Sequence, residues 1–329
     1  MVSSVMEFVR SKEAVWTMPA RHMEALTREF PEVRFFSPRD QDEADAHLPE
    51  AEIVFGWAVN RKNFERAGRL RWIQVTAAGV GHQLFPELVE SPVVLTNGRG
   101  IHAVAIAEHT LGVILSFVRK LHLARDAQHE RRWAQRELWI DAPPMGELDG
   151  AHLGLVGFGA IGKALAERAM PLGIEVVAVR RHPAPEAHSA VTQWGTERLP
   201  ELLAWADWLV LAAPLTPETQ GLIDARALAT MKPGAVLINV GRGALVDQAA
   251  LIGALESGRL AGAGLDVMEP EPLPAESPLW SFPQVILTPH VSGCGPRYWE
   301  RATEIFRRNL RAFLAGEPLE NVVDKRAGY

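Results

Sequence analysis

The chain has 329 residues and a formal net charge of −6, which is enough length for two domains of ordinary size with their own cores. The negative balance disfavours nucleic acid as a main partner, because a phosphate backbone is bound by a basic surface. With one cysteine, Cys294, and with neither a secretion pattern nor an apolar run of about 18 residues, the composition predicts a cytoplasmic protein without an internal disulfide or a membrane contact.

Short apolar stretches alternate with amphipathic ones through the first hundred residues. This alternation of stretches is typical of a parallel sheet covered by helices. It predicts helices at 19–30 and 61–67, and strands at 5–9, 33–36, 53–55, 72–75 and 93–95.

The turn 76–82, TAAGVGH, directly follows the strand predicted at 72–75. It is interpreted either as an anion-binding nest of backbone N–H groups or as an ordinary loop.

Residues 102–124 are apolar on almost every side, which predicts one long helix buried between domains or against another subunit. Its polar pair is Glu108 and His109, for which local hydrogen bonding is favoured over catalysis. The segment that follows combines charges with Trp133 and Trp139 and predicts a surface arm with aromatic anchors.

The stretch 151–181 predicts a βαβ unit with a glycine turn, GFGAIG, between its first strand and its helix. This is the dinucleotide fingerprint G-x-G-x-x-G in its expected context. Gly157 permits the tight turn, Gly159 lets a pyrophosphate approach the backbone, and Gly162 lets the helix pack close to the strand. The helix N-terminus then offers N–H groups to the phosphates. The predicted strands are 152–156 and 174–179, and the predicted helix is 160–172.

Arg180 and Arg181 follow the second strand of this unit, about 20 residues past the turn, where an NAD enzyme has Asp or Glu for the ribose 2′-hydroxyl. A guanidinium fork suits the 2′-phosphate of NADP(H) better than a neutral hydroxyl. The pair therefore predicts that NADP(H) is preferred. NAD(H) is the alternative if the arginines are only a solvated basic pair.

Arg242, Glu271 and His290 each stand past the end of a predicted strand, and loops at the carboxyl ends of parallel strands form the ligand crevice. Ketone reduction needs a hydride at carbon and a proton at oxygen, and histidine is the usual proton donor near neutral pH. Glu271 would stabilise the charged imidazole, and Arg242 would hold a substrate carboxylate. The strands concerned are predicted at 208–212, 235–240, 261–267 and 285–288, with helices at 248–257 and 298–314.

Five motifs in this order resemble the D-isomer-specific 2-hydroxyacid dehydrogenase family: GFGAIG, PLTPETQGLI, INVGRGALVD, GAGLDVMEPEPLP and TPHVSG. The three catalytic candidates lie 29 and 19 residues apart, as in that family. Further matches at TAAGVGH, LTNGRGIHAVAIAEH and the tail GEPLENVVDKRAGY extend the resemblance over nearly the whole chain.

The resemblance implies an α/β fold of two lobes, each with a doubly wound parallel sheet. It implies a Rossmann-type NAD(P)-binding domain at 101–291 and a flavodoxin-like substrate domain formed by 1–100 and 292–329. The long apolar helix and the tryptophan arm resemble the family's dimer interface, so a homodimer is expected.

The same resemblance implies that Arg242 binds the substrate carboxylate and keto oxygen, His290 is the acid/base and Glu271 tunes it. Gly81 stands where many members have Asp. Trp57 is a further hypothesis for the substrate side chain, and backbone groups of Ala78, Gly79 and Val80 are implied to bind the carboxylate. Besides the arginine pair, cofactor contacts are implied for Gly157, Phe158, Gly159, Ala160, Ile161, Gly162, Ala213, Pro214, Thr219, Val240, Gly241, Asp266, His290 and Gly293.

The function favoured by these motifs is NADPH-dependent reduction of a small 2-keto acid, with glyoxylate and hydroxypyruvate as first expectations. One alternative is an NAD-dependent D-2-hydroxyacid dehydrogenase of the D-lactate or phosphoglycerate type. Another is a binding protein similar to nucleotide-sensing transcriptional corepressors of this fold. A formate dehydrogenase is disfavoured, because those members carry Gln where this chain has Glu271. No metal site is predicted.

Overall fold

The computed structural model describes residues 3–141, 145–184 and 190–328. The chain divides into two compact units, Met1–Ile101 with Gly295–Tyr329, and His102–Cys294. These boundaries lie close to the domain limits expected from the sequence, and the roles assigned to the two domains stay predictions. Residues 1, 2 and 329, which end the predicted substrate domain, lie outside the described residues.

The first unit contains a five-stranded parallel sheet. Its strands are β1 (Ser4–Phe8), β2 (Arg34–Phe36), β3 (Ile53–Gly56), β4 (Trp72–Gln74) and β5 (Val94–Thr96), in the order β2-β1-β3-β4-β5. The helices of its N-terminal part are α1 (Ala20–Glu29), α2 (Gln41–His47) and α3 (Pro86–Val89).

The C-terminal helix, Tyr298–Ala315, belongs to the core of this first unit. Its Phe306 stacks on Phe55 with ring centroids 4.2 Å apart and on Trp72 at 5.3 Å. All three rings are among the largest fully buried side chains of the described residues, so the helix is part of the core of this unit.

The second unit contains a seven-stranded parallel sheet. Its strands are β6 (His152–Val156), β7 (Glu175–Val179), β8 (Thr192–Trp194), β9 (Trp208–Leu211), β10 (Val236–Asn239), β11 (Gly262–Leu265) and β12 (Val285–Leu287). The order β12-β11-β10-β9-β6-β7-β8 runs outward in both directions from β6. The carboxyl ends of β6 and β9 therefore flank the switch point of a doubly wound sheet, where ligands bind in such folds.

The second unit contains helices α4 (Ala103–Val118), α5 (Leu121–His129), α6 (Ala160–Ala169), α7 (Leu199–Trp205), α8 (Ala225–Thr230) and α9 (Gln248–Glu256). The C-terminal helix of the first unit is α10 (Tyr298–Ala315). The two parallel sheets with their helices confirm the predicted α/β fold class.

The apolar helix α4 packs closely on its own sheet. A Cβ added to Gly264 would lie 2.6 Å from Val113 Cγ1, and one added to Gly262 would lie 2.8 Å from Phe117 Cε1. The small residues of β11 therefore allow this close approach. Within the described ranges, no helix is long and apolar enough to span a membrane.

Two predicted helices are wrong in extent. The helix expected at 102–124 is interrupted, because Lys120 has a left-handed backbone (φ 51°) and its Nζ donates to the Leu138 carbonyl at 2.8 Å. The helix expected at 61–67 is reduced to a 3-10 turn at Phe64–Arg66. Here the side chain of Asn63 accepts a hydrogen bond from Asn60 N, and the side chain of Asn60 accepts one from Lys62 N. These hydrogen bonds compete with those of a helix.

Candidate active site

The glycine turn between β6 and α6 has the conformation that a dinucleotide requires. Gly157 has φ +98°, and a Cβ on it would lie 2.8 Å from the backbone of Ala212 and Ala213. A Cβ on Gly162 would lie 2.6 Å from the Gly157 carbonyl oxygen. The chain's own packing thus requires these two glycines.

Gly159 is different, because a Cβ added there would meet no protein atom within 4 Å. It is the N-cap residue of α6, and no side chain caps that helix. The open approach to an uncapped helix N-terminus fits a pyrophosphate, which needs backbone N–H donors and no side chain in its way. The turn is therefore suited to a dinucleotide.

Arg180 lies beside this turn, because β6 and β7 are paired in register and Gly157 N donates to Val179 O at 2.9 Å. Arg180 is half-buried and Arg181 is exposed. Arg181 Nη2 lies 3.6 Å from Glu218 Oε2, and both side chains are at least half exposed, so this pair is weak in water.

Gln193 on β8 fixes the segment that contains the two arginines. Its amide forms two hydrogen bonds with the backbone of Ala184, at 3.1 and 3.0 Å, and its Oε1 accepts from Arg180 Nη1 at 3.5 Å. Sequence reasoning missed Gln193, since nothing local in the sequence relates it to a loop nine residues earlier.

The loop after β9 brings three strand ends together. Ala213 is close to both Gly157 and Gly241, since a Cβ on Gly241 would lie 3.1 Å from Ala213 O. Further along, Thr219 Oγ1 donates to Pro214 O at 2.7 Å and shapes the turn. These residues therefore line the same edge of the sheet as the glycine turn.

Arg242 projects from a turn that Asn239 holds in place. Asn239, which is 1% exposed, accepts from Gly241 N at 3.0 Å and donates to Arg242 O at 2.8 Å. A Cβ on Gly243 would lie 2.0 Å from Met268 O, so only glycine permits this turn to meet the segment after β11. The Arg242 side chain is exposed and remains accessible to an anion.

Glu271 and His290 form a hydrogen-bonded pair. Glu271 Oε2 lies 2.8 Å from His290 Nδ1, and Oε1 accepts from Met268 N at 3.1 Å. Because a carboxylate accepts, Nδ1 is the nitrogen that carries hydrogen, and Nε2 is left for proton exchange with a substrate. Both side chains retain solvent access, 53% for His290 and 36% for Glu271.

The backbone of His290 has the unusual left-handed value φ +53°. Asp266, which is 2% exposed, holds the surrounding segment: its carboxylate accepts from Thr288 Oγ1 at 2.6 Å, Val291 N at 2.9 Å and Ser292 N at 3.0 Å. Burial alone would raise the Asp266 pKa, but these hydrogen bonds outweigh it and lower the pKa below its usual value. The chain's own donors engage this carboxylate, and its contact with a cofactor stays a prediction.

In the first unit, the predicted anion nest follows β4. Asn97 Nδ2 donates to Ala78 O at 2.8 Å and anchors the loop, with Ala78 and Gly79 exposed and Val80 buried. Within the described part of the chain, no group accepts a hydrogen bond from the N–H of these three residues. The rings of Trp57 and His82 contact each other in a tilted arrangement, with centroids 4.8 Å apart and an interplanar angle of 31°.

Residues 111–292 match the family model described as "D-isomer specific 2-hydroxyacid dehydrogenase, NAD binding domain". The chain is 36% identical to a glyoxylate reductase of Thermococcus litoralis, over 81% of each chain. It is 30% identical to a hydroxypyruvate reductase of Blautia hydrogenotrophica, over 87% of this chain and 89% of that one. A solved NADPH-dependent glyoxylate/hydroxypyruvate reductase of Sinorhizobium meliloti, in complex with NADP and sulfate, is 28% identical with a TM-score of 0.80, covering 99% of this chain and 100% of that one.

Proposed function

Because the chain belongs to the D-isomer specific 2-hydroxyacid dehydrogenase family of oxidoreductases, which act on CH–OH groups, we propose that it reduces a small 2-keto acid to the D-2-hydroxy acid with NADPH. Glyoxylate and hydroxypyruvate are the proposed substrates. The observation that carries the proposal is the Glu271–His290 pair, which follows β11 and β12 at the same sheet edge as the glycine turn.

His290 supplies the proton in this reaction. When bound, the reduced cofactor supplies the hydride that adds to the carbonyl carbon. His290 Nε2 donates a proton to the carbonyl oxygen, while Glu271 Oε2 accepts the hydrogen on Nδ1 and holds the ring in place. The hydroxyl product then leaves a neutral imidazole, which regains its proton from solvent.

Arg242 binds and polarises the substrate. Its planar guanidinium matches a carboxylate with two parallel hydrogen bonds, and its charge favours electron density at the keto oxygen. For the first unit, we propose Ala78, Gly79 and Val80 as carboxylate-binding residues, since their N–H groups have no acceptor in the described chain, and Trp57 as a substrate contact.

NADP(H) is the proposed cofactor, with NAD(H) as the weaker ligand. Support comes from the half-buried Arg180 beside the glycine turn and from Gln193, which fixes that segment. The Sinorhizobium meliloti protein is named NADPH-dependent, in agreement with this choice. The turn residues 157–162, the loop residues 213–219 and the strand ends at 240–241 form the proposed binding surface.

A homodimer is also proposed. Four large apolar side chains between residues 121 and 140 are strongly exposed: Leu121, Trp133, Trp139 and Ile140, at 54%, 90%, 70% and 64%. An exposed apolar patch of this kind is typical of a protein interface. The cytoplasmic location stays a prediction.

The test is an absorbance assay of nicotinamide oxidation with hydroxypyruvate, glyoxylate, pyruvate and a bulkier keto acid, each with NADPH and NADH. Fast oxidation of NADPH with the two smallest polar acids is expected. Preference for NADH would favour the NAD-dependent alternative, and tight NADPH binding without turnover on any keto acid would favour the corepressor-like binding protein.

A further inference from the structure

Two histidines, one at the N-cap of helix α4 and one within the helix, contact the segment that contains His290. His102, the N-cap residue of α4, contacts Gly293 O through Nδ1 at 2.8 Å. His109 Nε2 lies 3.2 Å from Thr288 Oγ1. Because the two histidines are about two helical turns apart, they lie on the same side of α4 and bind the segment on either side of His290.

The hydrogen-bond chemistry gives each contact a direction. The Gly293 carbonyl can only accept, so His102 Nδ1 donates. Thr288 has a single hydroxyl hydrogen, which goes to the Asp266 carboxylate at 2.6 Å. Thr288 Oγ1 therefore accepts from His109, whose Nε2 carries hydrogen. A continuous line of hydrogen bonds thus joins His109, Thr288 and Asp266.

This line ends at the left-handed residue His290. A non-glycine residue at φ +53° is disfavoured and persists only where its surroundings fix it. His290 N donates to Asp266 O at 2.9 Å, and the Asp266 carboxylate accepts from the next two N–H groups. Asp266 therefore fixes the backbone of His290, and Thr288 fixes the orientation of Asp266.

We propose that His109 is a positioning residue: through Thr288 and Asp266 it aims the His290 imidazole, with His102 holding the far end of the same segment. The proposal rests on the proposed function of His290 as proton donor. It gives the polar face of the otherwise apolar helix α4 a role in catalysis without contact with substrate.

The kinetic test compares His109→Phe, which removes the donor, with His109→Gln, which restores an N–H at a similar distance. The matched control is His122→Phe, because His122 also forms a hydrogen bond within the second unit, with Ser116 O at 3.1 Å, but is not connected to the His290 segment by it. His109→Phe is expected to lower kcat about 10- to 100-fold, as misplaced catalytic groups do. The Kd of NADPH, measured by fluorescence, should be unchanged, and His109→Gln should recover most of kcat.

Thr288→Val and Thr288→Ser provide a second pair if His109→Phe does not fold. Valine removes the hydroxyl and should reproduce the loss of kcat, whereas serine keeps it and should not. Equal kcat for His109→Phe and His122→Phe, or for the two Thr288 variants, would overturn the proposal.

An NMR experiment that does not depend on enzymatic turnover tests this proposal separately from the proposed function. Histidine rings are labelled with carbon-13, and the His290 signal is assigned by its loss in His290→Gln. His109→Phe and Thr288→Val should shift that signal, and His122→Phe should not. A wild-type protein that reduces no keto acid would refute the proposed function, while an unmoved His290 signal would refute the positioning role.

Discussion

Glu271 Oε2 and His290 Nδ1 lie 2.8 Å apart, although the two residues follow different strands, β11 and β12. Replacement of Glu271 by Gln keeps an acceptor but removes the charge. Reduction should slow by about 10²-fold, because the imidazolium that donates the proton loses its counter-charge. Steady-state kinetics tests this, with the exposed Glu269→Gln as control. An unchanged kcat in Glu271→Gln would remove Glu271 from the mechanism.

Arg180 and Arg181 should discriminate between the two nicotinamide cofactors. A hydrogen bond to a charged group contributes about 1.5–3 kcal/mol, so alanine at either position should raise the Kd of NADPH about 10- to 100-fold. The Kd of NADH should barely change, because it has no 2′-phosphate. Fluorescence titration with both cofactors measures this. The exposed Arg226→Ala is the control, and a parallel loss of both affinities would indicate a general structural effect.

Gly157 and Gly159 should respond differently to alanine. Gly159→Ala meets no protein atom and should keep the unfolding temperature, while its methyl group blocks the pyrophosphate and raises the Kd of NADPH about tenfold or more. Gly157→Ala requires an alanine at φ +98° against a neighbouring backbone and should lower the free energy of unfolding by about 1–3 kcal/mol. Calorimetry and binding titrations distinguish the two. Normal NADPH affinity in Gly159→Ala would argue against a pyrophosphate at this turn.

Asp266 should make stability depend on pH. Its pKa is lowered in the folded state, so its contribution is present above the unfolded pKa near 3.8 and is lost as pH falls through the folded pKa. Asp266→Asn presents an amide to backbone donors and should reduce the free energy of unfolding by about 1–3 kcal/mol at neutral pH. The difference from the wild type should shrink in acid. Urea unfolding at several pH values tests this, with the exposed Glu276→Gln as control.

Trp133 and Trp139 should hold the proposed dimer together. Serine at both positions removes most of the exposed aromatic surface and should shift the protein to a monomer in size-exclusion chromatography with light scattering. Trp280→Ser is the control, since Trp280 is 56% exposed in the same unit but lies outside the patch. A monomeric wild type would refute the dimer.

Local patterns predicted the central βαβ unit well. The strand expected at 152–156 coincides with β6, because an apolar run meets a glycine turn and both signals are contiguous in the sequence. The short or polar elements were not predicted. Helix α2 has one buried residue, Ala44, and therefore no apolar stripe, although Asp40 caps it by accepting from Glu43 N and is a signal that could have revealed it. Strand β8 has only three residues, which is too short for a periodic pattern.

In the candidate site, too, local sequence signals predicted some residues and contacts and not others. Arg242, Glu271 and His290 were predicted as candidates because each follows a predicted strand end, which is a local signal. The hydrogen bonds that Val291 N and Ser292 N donate to the Asp266 carboxylate were not predicted, because they join positions 25 and 26 residues apart and depend on the pairing of β11 with β12. Such contacts are properties of the assembled sheet, so no single stretch of sequence indicates them.

The hydrogen bond between His102 and Gly293 has a topological consequence. The chain enters the second unit at His102 and leaves it at Cys294, so the entry and exit points of that unit are neighbours. A segment whose ends meet can be accommodated in a loop of another domain without stretching either partner. The second unit is therefore arranged as an insertion into the chain of the first, between Ile101 and Gly295, and its two connections leave it side by side.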